Sequence, residues 1–324
     1  MPVLPGGEKR EFPDKYIAMT VDGNGVYSYL DPYEGGKIAV AEACRNIAVS
    51  GARPIGVTDN LNFGNPHNPE LFFQLKEAVH GMSDACQHFN IPVTGGNVSL
   101  YNQNPSGAID PTPVVGVVGL FESKDHIITQ WFKSSDSELF LIEPSQFKAD
   151  DWYGLGGSAF LNCIHGRKHG RPSPCSLDDE SLIHETYHGW VSKGLINAAH
   201  DCSDGGLLIS IIEMSISSNF SRNLPQLIGV ELELGPLKER GLAGDRLDAL
   251  LFGERQSRII IEVQPLKAKE ILNSIPSGIS ITKIGSTTEA KEFKLSIGGQ
   301  HICSSPLDSL HKTWWNTIGN HMDN

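Results

Sequence analysis

No apolar run in this 324-residue sequence is long enough to span a bilayer, and its N-terminus lacks a signal-peptide pattern. Cysteine is sparse: Cys44, Cys86, Cys163, Cys175, Cys202 and Cys303 are scattered, and no two form a C-x-x-C pair. That spacing argues against a disulfide framework and against structural zinc, and it suits reduced thiols in a cytoplasmic protein. The twelve histidines are equally dispersed, without an H-E-x-x-H or similar helical ligand pair. Also lacking is any lysine- or arginine-rich block, and the net charge is −12, so neither nucleic acid nor an anionic membrane is an expected partner. A phosphorylated ligand stays open, because a metal ion and aimed backbone amides hold phosphate on an acidic protein.

What is present is an ordinary globular composition, 39% apolar and 20% charged, in a chain long enough for two domains. Residues 1–15, rich in proline, glycine and charge, read as an extended arm. A strand is expected over Tyr16–Val21, stopped by the turn residues Asp22-Gly23-Asn24-Gly25, with a second strand over Val26–Leu30. A helix follows from about Lys37 to Ser50, closed by Gly51, and its small residues imply close packing. Pro54–Thr58 reads as a short strand delivering Asp59 and Asn60 at its carboxyl end. Asn68 caps a helix with Pro69 in its first turn, and Leu71, Leu75, Ala78, Met82 and Ala85 recur at core-facing helical spacing. Pro92–Tyr101 reads as a short buried strand running into a glycine turn, and Thr112–Phe121 as another strand.

Strands alternating with helices make residues 16–122 one α/β domain. The polar stretch Glu122–Ser137 is the expected boundary, with a second α/β domain over 138–305 and a polar tail over 306–324. In the second domain, strands are expected at Glu138–Ile142, Arg258–Val263 and Ile281–Ile284, and helices at Leu177–Leu195 and about Pro265–Ile275.

Several places offer chemistry. Gly95-Gly96 strips side chains from the backbone so that a ligand can approach its amides; Asn97 adds a neutral oxygen for a hard cation, and Ser99 a hydroxyl. The same glycines also serve a plain tight turn. Asp59, at a strand end, suits Mg2+ or a nucleotide, and equally a turn cap. Asp201 and Asp204 flank a turn opening a helix at Gly205-Gly206: either Asp204 is the N-cap, or the helix end faces phosphate while a carboxylate holds the metal. Asp22 fits both a metal-holding turn and a hairpin. His200 has no cysteine or serine nucleophile with a supporting acid around it, so it is not read as a general base. The glycine-rich run 154–158 is a further segment able to approach a ligand.

Taken together, the runs at 20–25 (TVDGNG), 29–36 (YLDPYEGG), 38–43 (IAVAEA), 57–66 (VTDNLNFGNP), 93–102 (VTGGNVSLYN), 200–207 (HDCSDGGL) and 251–255 (LFGER) resemble one family. It is the formylglycinamide ribonucleotide amidotransferases (phosphoribosylformylglycinamidine synthase, PurL, of the small bacterial type), and the likeness is to their second half. It runs from about Tyr16 to Ile284, and LNFGNP and GGNVSLYN are its most specific strings. The resemblance implies an α/β (α+β), PurM-like fold, shared with aminoimidazole ribonucleotide synthetase, selenophosphate synthetase and thiamine-monophosphate kinase. There an N-terminal α/β domain pairs its sheet with a like domain, and a second α/β domain flanks it.

The implied reaction belongs to purine biosynthesis. With Mg2+, ATP activates the amide oxygen of formylglycinamide ribonucleotide, and ammonia from a separate glutaminase displaces phosphate to give the amidine. Position by position, Asp59 and Gly96 match the family's ATP contacts, Asn97 a magnesium ligand and Ser99 a contact to the ribonucleotide. Asp22, Asp201 and Asp204 echo first-half metal residues by internal pseudosymmetry. Family members carry two such halves in one chain, with the catalytic histidines in the first. No catalytic residue is therefore expected here, and the expected partners are the other half, the glutaminase and a small accessory subunit. A homodimer through the first domain's sheet is also expected. The alternatives are another ATP-using enzyme of this fold, against which the lack of an N-terminal reactive Cys or Lys motif stands, and a non-catalytic nucleotide-binding module.

Overall fold

The computed structural model describes residues 14–217, 227–241, 243 and 246–322, so the expected N-terminal arm lies almost wholly outside the described residues. The first layer comprises β1 (Ile17–Asp22), α1 (Gly25–Leu30), α2 (Pro32–Val49), β2 (Arg53–Asn62), α3 (Pro69–His88), β3 (Val93–Ser99), the small hairpin β4 (Gln103–Asn104) and β5 (Gly107–Ala108), and β6 (Thr112–Leu120). Its sheet runs β1-β6-β2-β3, antiparallel except for the parallel β2–β3 pair.

Local capping explains one departure from expectation. Val26–Leu30 is helical, not a strand, because the Asn24 side chain accepts from the Val26 and Tyr27 amides, both at 3.0 Å. Asp31 then caps α2 through Glu34 N–H with Pro32 in the first turn, so that helix begins before Lys37; Gly51 (φ +91°) ends it as expected. The α2–α3 contact is very close: a Cβ on Gly36 would sit 2.2 Å from the Ala78 carbonyl oxygen, and one on Gly81 1.9 Å from that of Tyr33.

Both helices cover one face of the first sheet, where Val57, Leu61, Val115 and Val117 join Ala43, Ile47, Ala78 and Met82 in one core. The other face is open, and along β1 and β6 it is apolar. Ile17, Met19 and Val21 are 56%, 73% and 73% exposed, and the register sets them beside Leu120, Val118 and Gly116.

The second layer comprises β7 (Glu138–Pro144), α4 (Ala159–His165), α5 (Leu177–Ser192), β8 (Ala198–Asp201), α6 (Gly206–Ile216), β9 (Gly229–Glu233), α7 (Gly235–Glu239), α8 (Leu247–Phe252), β10 (Ile259–Val263), α9 (Pro265–Leu272), β11 (Ile279–Thr288), β12 (Glu292–Ile297), β13 (Gln300–Pro306) and α10 (Leu307–Met322). The stretch read as a polar tail is thus a helix. The seven strands run β13-β12-β9-β11-β7-β10-β8, with only β12–β9 parallel. Successive residues of β7 and β10 enter opposite cores, Leu139, Leu141 and Ile260 one and Phe140, Ile142 and Ile261 the other, which is why these strands read as unbroken apolar runs.

The two layers are joined through α2. Arg45, fully buried, meets Glu180 of α5 and lies 3.7 Å from Asp201 of β8, and it donates to Gln256 at 3.1 Å. Tyr187 donates to the Val49 carbonyl at 2.7 Å, and Tyr27 to Glu254 at 2.5 Å.

Candidate functional site

The family-matching residues on the first layer lie along β3, and their arrangement corrects the sequence reading. Val93–Ser99 is an exposed edge strand, not a buried one, and Gly95-Gly96 lies within it instead of forming a turn. Asp59 is not at a strand end: β2 continues to Asn62, with Asp59 aligned to Gly96.

Strand alternation then sorts the four residues onto two faces. Val57, Asp59 and Leu61 point to the helices, whereas Thr58, Asn60 and Asn62 point to the open face. Register puts Gly96 with Asp59, Asn97 with Asn60 and Ser99 with Asn62. On the helix side, Asp59 lines a cavity of about 470 Å3 walled mainly by apolar residues such as Leu61, Val79, Met82 and Val93, with Ser83, Gln87 and Asn90 as its other polar members. Burial pushes the Asp59 carboxyl above its ordinary value, and burial together with Asp59 pushes the Cys86 thiol up to about 11. Gly96 is required by this packing, since a Cβ there would meet Asp59 Oδ1 at 2.1 Å and its backbone oxygen at 2.8 Å. Gly95 faces open space, with nothing within 4 Å.

On the open face, Asn97 Nδ2 donates to Asn60 Oδ1 at 3.2 Å, a bond that uses the amide nitrogen and leaves the side-chain oxygen as the acceptor. Ser99 Oγ donates to Asn102 Oδ1 at 3.2 Å, and Asn102 is itself fixed by donating to the Ser99 and Phe63 carbonyls at 2.8 and 3.2 Å. The edge therefore has a mainly apolar pocket with one carboxylate on one side and oriented oxygens on the other. Only glycine backbone separates them.

A second group gathers where the layers meet. Asp22, Asp201 and Asp204 are brought together there, with Glu42, around Arg45 and His200. Burial, then Asp201, push Asp22 up to about 7; Glu42 and Asp204 are raised for like reasons. Asp201 is held low, because the His200 hydrogen bond and Arg45 outweigh its burial. His200 lies between Asp201 (3.0 Å) and Glu213 (3.2 Å); burial opposes its charge, but these bonds win and raise it to about 9. A histidine raised this far is a poor general base near neutral pH. Among the described residues, no group of three or more His, Cys, Asp or Glu side chains is arranged to hold a metal.

Asp204 is not the N-cap of α6. Gly205 occupies that position without a side-chain cap, and its N–H donates to Glu254 at 2.8 Å. The same carboxylate accepts from Ala159 N–H at 2.8 Å, and burial raises it to about 7. Glu254 and Arg45 were missed as organising residues. Arg45 left a signal: helical spacing puts it on the apolar stripe Ile38, Ala41, Ala48.

The profile described as AIR synthase related protein, N-terminal domain, matches residues 10–121, and its C-terminal counterpart residues 137–298. The phosphoribosylformylglycinamidine synthase subunit PurL of Caldanaerobacter subterraneus is 38% identical over 301 residues, covering 93% of this chain and 38% of the relative. That of Moorella thermoacetica is 39% identical over 320 residues, covering 97% and 40%. The chain thus spans about two-fifths of the length of these curated relatives. Among solved structures, Thermotoga maritima PurL complexed with FGAR superposes with a TM-score of 0.72 at 18% identity, over 91% of this chain and 46% of the other. The E. coli hydrogenase maturation protein HypE gives 0.62 at 16% identity, over 90% and 86%. These structural likenesses establish the fold, and the sequence matches establish the lineage: the chain belongs to the AIR synthase related family and is similar to PurL subunits within it.

Proposed function

We propose that this chain supplies one wall of the active site of a phosphoribosylformylglycinamidine synthase, binding Mg·ATP across the edge of β3. The observation that carries the reading is the two-sided edge at Gly95-Gly96. The cavity beside Asp59 has the size and mainly apolar lining of a nucleobase site, with one carboxylate to accept a hydrogen bond from the 6-amino group of adenine. The phosphates then cross the glycines to the open face. Asn97 would hold Mg2+ there through its side-chain carbonyl oxygen, a donor of the hard, neutral kind that ion accepts. Mg2+ neutralises charge on the transferring phosphoryl group when bound. Ser99, oriented by Asn102, would position the ribonucleotide.

One structural neighbour, T. maritima PurL, is known complexed with ATP and complexed with FGAR, which supports this reading. Among the described open-face residues of β2 and β3, none transfers protons readily, so the chain alone is expected to bind without turning over. The exposed apolar face of β1 and β6 suits a like domain, from the other half of the synthetase or a second copy. A strictly monomeric mass at high protein concentration would exclude the second copy. Ammonia is expected from a glutaminase partner. Asp22 and Asp204 form a weaker second cation locus, where binding would displace protons and needs side-chain movement.

Calorimetric titration with Mg·ATP tests the reading. The intact chain should bind, and Asp59→Asn should weaken binding at least tenfold, about 1.4 kcal/mol. Asn97→Ala should weaken Mg·ATP but not metal-free ATP. Parental affinity in Asp59→Asn would remove the base from this pocket, and no binding by the intact chain would overturn the half-site.

A further inference from the structure

The whole-chain acidity conceals one local reversal. Residues 165–171 (HGRKHGR) hold Arg167, Lys168 and Arg171 within seven positions of a chain whose net charge is −12. All three are exposed, in the irregular segment after α4. The backbone beneath them is tightly seated. Gly157 N–H donates to the His169 carbonyl at 2.9 Å, and a Cβ on Gly156 would lie 1.9 Å from the Arg171 carbonyl oxygen. Gly170 in turn leaves no room for a side chain against Trp152, whose ring meets that of His169 edge-on at 5.3 Å. The glycine run 154–158, which sequence reading left free to approach a ligand, thus approaches this basic segment instead.

The side chains differ in their engagement. Lys168 is pinned, its Nζ 2.6 Å from Asp110 Oδ1 and 3.7 Å from the centre of the Tyr29 ring. No acidic side chain among the described residues pairs with Arg167 or Arg171. Residues 167 to 171 span at most about 14 Å of chain, a separation that two long arginine side chains can bridge to meet one small anion beside the ammonium. A planar guanidinium fork matches phosphate oxygens two at a time. Tyr29, 47% exposed, leaves ring surface for a sugar.

We propose that Arg167, Lys168 and Arg171 form a binding site for the phosphate of a sugar phosphate ester, at the junction of the two layers. The site goes beyond the nucleotide reading and does not rest on the pocket at Asp59. Ribose 5-phosphate, titrated calorimetrically into the intact chain at low salt, is the probe, with ribose and a polyglutamate peptide as comparisons. Ribose 5-phosphate should bind and ribose should not. Arg167→Gln/Arg171→Gln should weaken binding at least tenfold, and Arg167→Lys/Arg171→Lys by less. Asp59→Asn should leave it unchanged, which separates failure here from failure of the nucleotide site. Both double variants should melt with the parent, as the substituted side chains are exposed. Absence of ribose 5-phosphate binding at millimolar concentration, or equal binding by the glutamine variant, would overturn the site. So would polyglutamate binding more tightly than ribose 5-phosphate with the same dependence on both arginines, which would mark a docking surface for an acidic protein.

Discussion

Gly95 and Gly96 are adjacent and chemically identical, yet the structure assigns them opposite tolerances. A methyl group on Gly96 would overlap the Asp59 carboxylate at 2.1 Å and the Asp59 carbonyl oxygen at 2.8 Å. The carboxylate can rotate away, but the backbone oxygen can yield only if β3 shifts from β2. Overpacking of this kind costs about 1–3 kcal/mol. On Gly95 the same methyl group meets nothing within 4 Å, and alanine in a strand is favoured over glycine by about 0.5–1 kcal/mol. Urea unfolding of Gly95→Ala and Gly96→Ala should therefore give shifts of opposite sign. Asp59→Ala removes part of the obstruction, so Gly96→Ala should cost less in that background, with a coupling of about 1 kcal/mol. Mg·ATP affinity should fall in Gly96→Ala, because the displaced carboxylate enters the proposed base pocket. Equal stability of the two alanine variants, or additivity of Gly96→Ala with Asp59→Ala within about 0.5 kcal/mol, would refute the two-sided edge.

Other expectations follow from groups buried where the layers meet. Arg45→Ala should cost about 3–5 kcal/mol in urea unfolding, because buried Glu180 and Asp201 would lose their shared arginine and keep only His184 and His200 as basic partners; a loss under about 1 kcal/mol would show the network to be dispensable. Glu254→Ala strands the Gly205 and Ala159 amides and the Tyr27 hydroxyl together, and should cost about 3 kcal/mol or more, read by thermal melting against Glu254→Gln, which keeps an acceptor. His188 is pushed down to about 4, by burial first and then by Arg53 and His184. A depressed histidine contributes stability that is present above its unfolded value near 6.5 and is lost as pH falls towards 4. His188→Gln should therefore flatten the stability profile between those limits by up to about 3 kcal/mol, and an unchanged slope would mean the imidazole is not held neutral.

What could be read from sequence was what neighbours in the chain decide. Asn68 with Pro69, and Gly51 after its helix, act on amides and carbonyls within four residues, and both stand where expected. Asn24 obeys the same chemistry, but its turn-forming neighbours spoke more loudly than its capping oxygen. Asp204 is a candidate cap on the same local grounds, but the left-handed Gly205 holds the N-cap position, and its N–H is taken by Glu254, fifty residues beyond Asp204. Nothing in the run 200–207 announces that partner.

The glycine pair shows the same limit acting on the candidate site itself. Two adjacent glycines carry equal weight for a turn and for a strand that must admit something close, and only the identity of the facing residue decides between them. Here the facing residue is Asp59, thirty-seven positions earlier, and its carboxylate occupies the space a Gly96 side chain would need. The family motif named residues without their geometry. The sheet supplies it: odd and even positions of β2 and β3 divide those residues between a pocket and an open face. A ligand that touches both must then pass over the one stretch of edge that carries no side chain.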